Sequence, residues 1–178
     1  MKEVDFKQIL QQYREGKRGF QSLIIAGVEG FESDLSGADF SDSIFEAAYL
    51  PYSNLSQARF RQTRLAGAEL GDARLFSTDL TGAYLSEGRL VRANLRQACL
   101  RGTNLQDADL SGADLRGADL TDADLSGAKL IRANLTEALL VGTSLQGSNL
   151  FRAIGANLAG TLCDLNTIFP DGHRGVMG

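Results

Sequence analysis

From Leu35 to Leu150, every residue whose number is divisible by five is leucine or phenylalanine. The phenylalanines among them are Phe40, Phe45 and Phe60, all toward the N-terminal end. Two residues before each stands a small side chain, as in Ser33, Ala38, Ser43, Ala48 and so on to Ser148, with Gly88 the smallest. The other three positions of each five accept Arg, Asp, Tyr, Pro or Gly. A period of five is neither the strand period of two nor the helix period of 3.6. On a helix it would smear the apolar residues round the surface, and frequent Gly, Ser, Thr, Asn and Asp oppose helix as well. The pattern predicts a chain that turns a corner every five residues. Two residues of each five face inward, one large and one small. Successive turns of such a coil stack ~4.8 Å apart, the spacing of hydrogen-bonded strands.

The stretch Ala108 to Ala128, ADLSGADLRGADLTDADLSGA, shows the unit most clearly. Its A(D/N)LXX pattern resembles the pentapeptide repeat family, which has cyanobacterial and other bacterial members. The resemblance runs without insertion from Ser33 to Leu150 and less regularly from Phe20 to Phe169. It implies an all-β fold, a right-handed quadrilateral β-helix with 20 residues per coil. The expected organisation is an N-terminal helical cap over 1–19, a pentapeptide-repeat β-helix over 20–169 with its regular core at 33–150, and a C-terminal tail over 170–178.

The open ends of a solenoid need covering. Val4, Phe6, Ile9, Leu10 and Tyr13 recur near helical spacing, and Glu15-Gly16-Lys17 can end a helix there. This predicts a short amphipathic helix over the first coil. Phe20 and Ile25 keep the five-residue frame, while Gly30 breaks it and Phe31 falls outside it, so an irregular first coil is expected. Past Gly155, two units follow at altered spacing, Ala156-Asn157-Leu158 and Cys163-Asp164-Leu165. In the second, Cys163 is expected at the small inward place. The ending Thr167 to Gly172 resembles the closing segment of cyanobacterial-type members, with Phe169 as lid, Pro170 as stop and a loose tail beyond.

Composition narrows this picture. Aromatic residues make up only 7% and Trp is absent, so large rings are not expected to build the core. The mild charge of −4 argues against direct nucleic-acid binding. The N-terminal segment shows no signal-like apolar region, and no apolar run is long enough to span a membrane, so a cytoplasmic protein is expected. Cys99 and Cys163 fit no metal or redox spacing, and His173 is the single histidine. No catalytic residue, cofactor, metal or small-molecule substrate is expected. Charge varies along the chain. Eight Arg against four acids between Arg59 and Arg101 make a basic belt, and six Asp against Arg116 between Asp107 and Asp124 an acidic one.

With 20 residues per coil, residues 20 apart stack into columns. One runs Tyr49, Glu69, Arg89, Asp109, Lys129, Asn149, and another Asp39, Arg59, Asp79, Cys99, Asp119, Leu139. Their alternating signs read as stacking partners. The evenly spaced Asp109, Asp114, Asp119 and Asp124 fall on different walls, point outward, and converge on nothing. One wall collects Tyr49, Pro51, Tyr52, Arg89, Val91, Arg92, Ile131, Arg132, Phe151 and Arg152. Tyr and Arg are enriched at interface hot spots, and apolar side chains there are not needed by the coil. The residues therefore predict a non-enzymatic scaffold that binds a protein partner, in a regulatory role, as a monomer with capped ends. The alternative that the family resemblance implies is a DNA-mimicking protein that binds gyrase, of the quinolone-resistance type. Such members are strongly acidic, dimerise through a C-terminal module and often carry projecting loops, features this sequence lacks.

Overall fold

The computed structural model describes residues 1–45 and 48–175. The chain winds as a four-sided coil. Parallel bridges join residues 20 apart on each of four walls, as in Glu69↔Arg89, Asn94↔Asp114, Cys99↔Asp119 and Asn104↔Asp124. Each wall contributes one bridging residue between two turns, so the bridges stay isolated. The two flanking amides alternate in direction. Leu90 N donates to Asp109 O on the next coil at 2.8 Å, and Arg89 N donates to Ala68 O on the previous coil at 2.9 Å. Every coil is thereby bonded to both neighbours, and stability accumulates coil by coil.

The core follows the frame. All large inward residues from Leu35 to Leu150 are at most 3% exposed. The small inward places are buried as well, apart from half-buried Ser33, and hydroxyls among them tie the coils together. Thr63, Thr78, Thr103 and Thr143 each donate to the carbonyl of the large residue 23 positions earlier, at 2.8–2.9 Å. Large rings do contribute, contrary to the compositional expectation. Phe20, Phe40 and Phe60 stack in one column at 5.4 and 5.2 Å, with Phe45 edge-on to Phe40. Aromatics are few, but they concentrate in the first coils.

Ala113→Leu is expected to destabilise the chain by ~1–3 kcal/mol, because a fully buried small place has no room for an isobutyl group. Asp114→Asn, one residue away and facing outward, should stay within ~0.5 kcal/mol. Equal losses in urea unfolding would mean the inward register is wrong.

At the N-terminus a strand precedes the expected helix. β1 (Lys2–Asp5) pairs in parallel with β2 (Leu23–Ala26), Val4 opposite Ile25, and β2 continues onto β3 (Ile44–Phe45). Val4 therefore sits in a strand, not in the helix, and covers the sheet edge of one wall. Helix α1 (Phe6–Arg14) follows, its first turn capped by Asp5, whose carboxylate accepts from Lys7 N at 2.7 Å. It buries Phe6 and Ile9.

Gly30 does not break the frame. Its amide donates to Tyr49 O at 2.7 Å, so it occupies a large inward place in register. The unit is inverted in size, with Val28 buried at the small place and glycine at the large one. A Cβ on Gly30 would meet the Phe6 ring at 3.0 Å and overlap a Leu50 methyl. Helix α1 thus plugs the end of the coil by placing Phe6 where the repeat omits its own large residue.

The C-terminal end also departs from the expectation. Leu162 bridges to Ser144, so Thr161 and Cys163 stand over Thr143 and Leu145. Cys163 therefore takes the large inward place, half-buried, rather than the small one. Leu165 is 74% exposed. Asp164 explains the reversal, because its Oδ1 accepts from the amides of Gly147, Asn166 and Thr167, which turns the chain before Leu165 can point inward. Thr167 and Phe169 then resume the small and large inward places, Phe169 at 3% exposure. The tail folds back in an antiparallel bridge between Ile168 and Arg174, with His173 stacked on Phe169 at 4.7 Å. It is attached at least to Arg174, and residues 176–178 of the expected loose tail lie outside the described residues.

Candidate interaction wall

The turns set where outward side chains stand. Where the residue before a large one is Asp or Asn, its side-chain oxygen accepts from the amide two positions ahead. Asp109, Asp114, Asp119 and Asp124 accept in this way from the amides of Ser111, Arg116, Thr121 and Ser126 at 3.0–3.3 Å. Asn54, Asn94, Asn104 and Asn134 do the same. This is the physical reason for the Asp/Asn choice in the repeat: both close an Asx-type turn. The lap of aspartates is accordingly a set of turn caps on four walls. The second residue of each turn has φ near +60°, as at Gly112 (φ 68), Arg92 (φ 56) and Arg132 (φ 59). Glycine adopts this conformation freely, and the residues that replace it here point outward.

Charges pair between coils. Arg89 meets Glu69 at 3.5 Å, Arg59 meets Asp39 at 3.7 Å, and Lys129 meets Asp109 at 4.0 Å along the columns. Diagonal pairs join Arg61 to Asp79 and Arg101 to Asp119. Arg92 binds Asp72 with both edges, Nε to Oδ1 at 2.8 Å and a terminal nitrogen to Oδ2 at 2.6 Å. That hydrogen bond holds the Asp72 carboxyl below its ordinary range, as the Arg116 guanidinium does for Asp114. Each exposed pair contributes at most about 1 kcal/mol. The acidic belt is half compensated, since three of its six aspartates, Asp109, Asp114 and Asp119, each have a cation beside them.

The predicted wall divides into two parts. Val91, Arg92, Ile131, Arg132 and Phe151 come together around a shallow groove of about 490 Å³ whose floor is Ser111 and Gly112. Gly112 makes the dip, since a Cβ there would touch the Arg92 stem at 3.5 Å. Val91 and Ile131 are half-buried and Phe151 is exposed, its ring under the Arg152 guanidinium at 5.1 Å. Tyr49 and Tyr52 do not join this groove. They stand on earlier coils, where Tyr52 packs edge-on against exposed Phe31 at 5.6 Å. Phe31, expected outside the frame, stands in register over Pro51, and Ser111 and Gly112 carry no mark in the sequence pattern, because their role depends on the vertical stack.

The four wall arginines are not equivalent. Arg89 and Arg92 are engaged by carboxylates of their own chain, whereas Arg132 and Arg152 make no ion pair among the described residues. Around the last coil, Leu139, Val141, Ile154, Leu162 and Leu165 are each more than half exposed. Among the described residues, no His/Cys/Asp/Glu group is arranged to hold a metal ion, and no helix is long and apolar enough to cross a membrane.

Comparison with known proteins agrees with the coil. The family model for pentapeptide repeats matches residues 53–90, 89–127 and 118–154. No curated protein matches the sequence. Among solved structures, the chain is similar to HetL, a pentapeptide repeat protein involved in heterocyst differentiation regulation from the cyanobacterium Nostoc sp. Strain PCC 7120. Identity is 30% over 96% of this chain and 99% of HetL, with a TM-score of 0.42. A pentapeptide repeat protein of the Arabidopsis thaliana thylakoid lumen is 34% identical over 49% of this chain and 64% of its own, TM-score 0.46. QnrB1, a plasmid-mediated fluoroquinolone resistance protein, is 17% identical over 82% of each chain, TM-score 0.47.

Proposed function

This chain belongs to the pentapeptide repeat family, a right-handed β-helix, and from that premise we propose that it is a non-enzymatic scaffold that binds a protein partner through one wall, in a regulatory role. The observation that carries this reading is the groove between Val91, Ile131 and Phe151, bordered by Arg132, which forms no ion pair among the described residues, with the Arg152 guanidinium over the Phe151 ring beside it. Apolar side chains there add nothing to the coil, whose core is closed by its own Leu and Ala. A rigid wall loses little entropy on binding, so a modest groove can anchor a partner's side chain. The DNA-mimic alternative draws little support from the acidic belt, four of whose six carboxylates are turn caps and three of those also pair with a cation.

The test compares three immobilised forms of the full chain against an extract of the native host. These are the wild type, the double variant Ile131→Ser/Arg132→Glu, and Arg64→Glu on another wall. Proteins bound by the wild type and by Arg64→Glu should fall at least about 10-fold on the double variant, the scale of one hot-spot loss. Equal capture by all three would reject the wall.

A further inference from the structure

The wall carries its charge in two halves. In the outermost turn column the order from N- to C-terminus is Glu32, Tyr52, Asp72, Arg92, Gly112, Arg132, Arg152. The adjoining column runs Phe31, Pro51, Gly71, Val91, Ser111, Ile131, Phe151. The wall column beside them runs Glu29, Tyr49, Glu69, Arg89, Asp109, Lys129. Acid and exposed aromatic rings occupy the first coils, and base and the apolar groove the later ones.

Two such walls laid face to face and antiparallel are related by a two-fold axis lying in the contact plane, perpendicular to the coil axis. Each column then faces itself in reverse. With the axis level with residues 79–82, all three columns match at once. Glu32 faces Arg132, Tyr52 faces Gly112, and Asp72 faces Arg92. Phe31 faces Ile131 in the groove, Pro51 faces Ser111, and Val91 faces the bare backbone of Gly71. Glu29 faces Lys129, Tyr49 faces Asp109, and Glu69 faces Arg89. Four of these nine facings set acid against base and two set a large side chain against glycine, and symmetry makes every contact twice. Glu32 and Arg132 form no ion pair within the chain among the described residues, so this cross-pair costs no existing one, whereas Lys129, Asp72, Arg92, Glu69 and Arg89 are already paired within the chain.

We propose that the partner seated on this wall is a second copy of the chain, in an antiparallel side-by-side dimer held by Glu32–Arg132 pairs and by Phe31 in the groove of Val91, Ile131 and Phe151. This names an occupant for the interaction wall and rests on that reading of it. The capped ends oppose end-to-end stacking, and they leave this side open. A strip of one wall falls at the low end of specific interfaces, roughly 1,200 Å² in total, so the dimer should be reversible in the micromolar range.

The test is sedimentation velocity of the purified full chain over about 1–300 μM, at ~50 mM and ~500 mM salt. A dimer weakened by salt is expected. Glu32→Arg and Arg132→Glu should each raise its dissociation constant at least about 10-fold, and the two together should restore it to within about 3-fold. Glutamate at Glu87 (φ 58) and arginine at Arg92 (φ 56) already occupy this turn position, so the swaps leave the coil intact. A chain that stays monomeric would overturn the proposal. So would a dimer indifferent to both reversals, a swap that fails to restore it, or a dimer lost on Leu165→Asp and untouched by Glu32→Arg. The charge swap also separates the two proposals, because it restores self-association while leaving a different partner's Arg132 contact broken. Monomeric protein that still captures a host protein through Ile131 and Arg132 would sink the dimer alone.

Discussion

Replacing Phe40 by alanine is expected to cost ~3–5 kcal/mol and to loosen the first coils before the rest of the chain. Phe40 is completely buried, stacked between Phe20 and Phe60 and met edge-on by Phe45. Its removal takes one ring out of a continuous column and leaves a cavity that the neighbouring rings cannot collapse into, since the hydrogen-bonded backbone fixes their spacing. In a one-dimensional stack the loss stays local, so the coils on the N-terminal side should fray while those beyond Leu75 keep their protection. Hydrogen exchange can read this directly. Amides of residues 20–45 should exchange faster in the variant, and those of 90–130 should not change. Phe40→Leu, which installs the residue used at most other large places, should recover most of the loss. If Phe40→Ala stays within about 1 kcal/mol of the wild type, the aromatic column does not hold this end.

Most of the coil was legible because its information sits in two positions of every five. Leu at one and Ala at the other repeat so regularly that the register follows without any structure, and the structure keeps every one of them buried. What the sequence did not reveal is vertical. The Asp/Asn preference looked like surface charge, because the amide it caps becomes visible only when the turn is built. Arg92 looked like a free hot spot, because its partner Asp72 lies one coil away. The groove could not be separated from the rest of the wall, because its floor is made by Ser111 and Gly112, two residues with no chemical signal of their own.

The ends were misread for a different reason. There the chain stops obeying the repeat, and small changes of spacing exchange the inward places. Cys163 and Leu165 illustrate this. Reading the triplet Cys-Asp-Leu as one more repeat puts Leu165 inside, but Asp164 uses its carboxylate to turn the chain early, and Leu165 ends in solvent. A local hydrogen-bonding option overrode the pattern, as it does wherever Asp can choose between two sets of amides.

Phe6→Ala should be about as damaging as the loss of Phe40, at ~3–5 kcal/mol, and its interaction with position 30 should identify the cause. Phe6 is 1% exposed although it begins a helix at the terminus, because it fills the large inward place that Gly30 leaves vacant. Gly30 lies outside the positive-φ region, so a side chain there meets no backbone strain, only crowding by the Phe6 ring and Leu50. Gly30→Ala should therefore destabilise the wild type by ~1–3 kcal/mol through overpacking. In the Phe6→Ala background the same change should cost much less, because one of the two obstructing groups is gone. The double-mutant cycle should then show coupling of ~1 kcal/mol or more, where residues without contact would simply add. Additive losses would mean that helix α1 merely lies over the first coil. A coupled pair would mean that the cap and the repeat were shaped to one another, with glycine kept at position 30 to admit the ring.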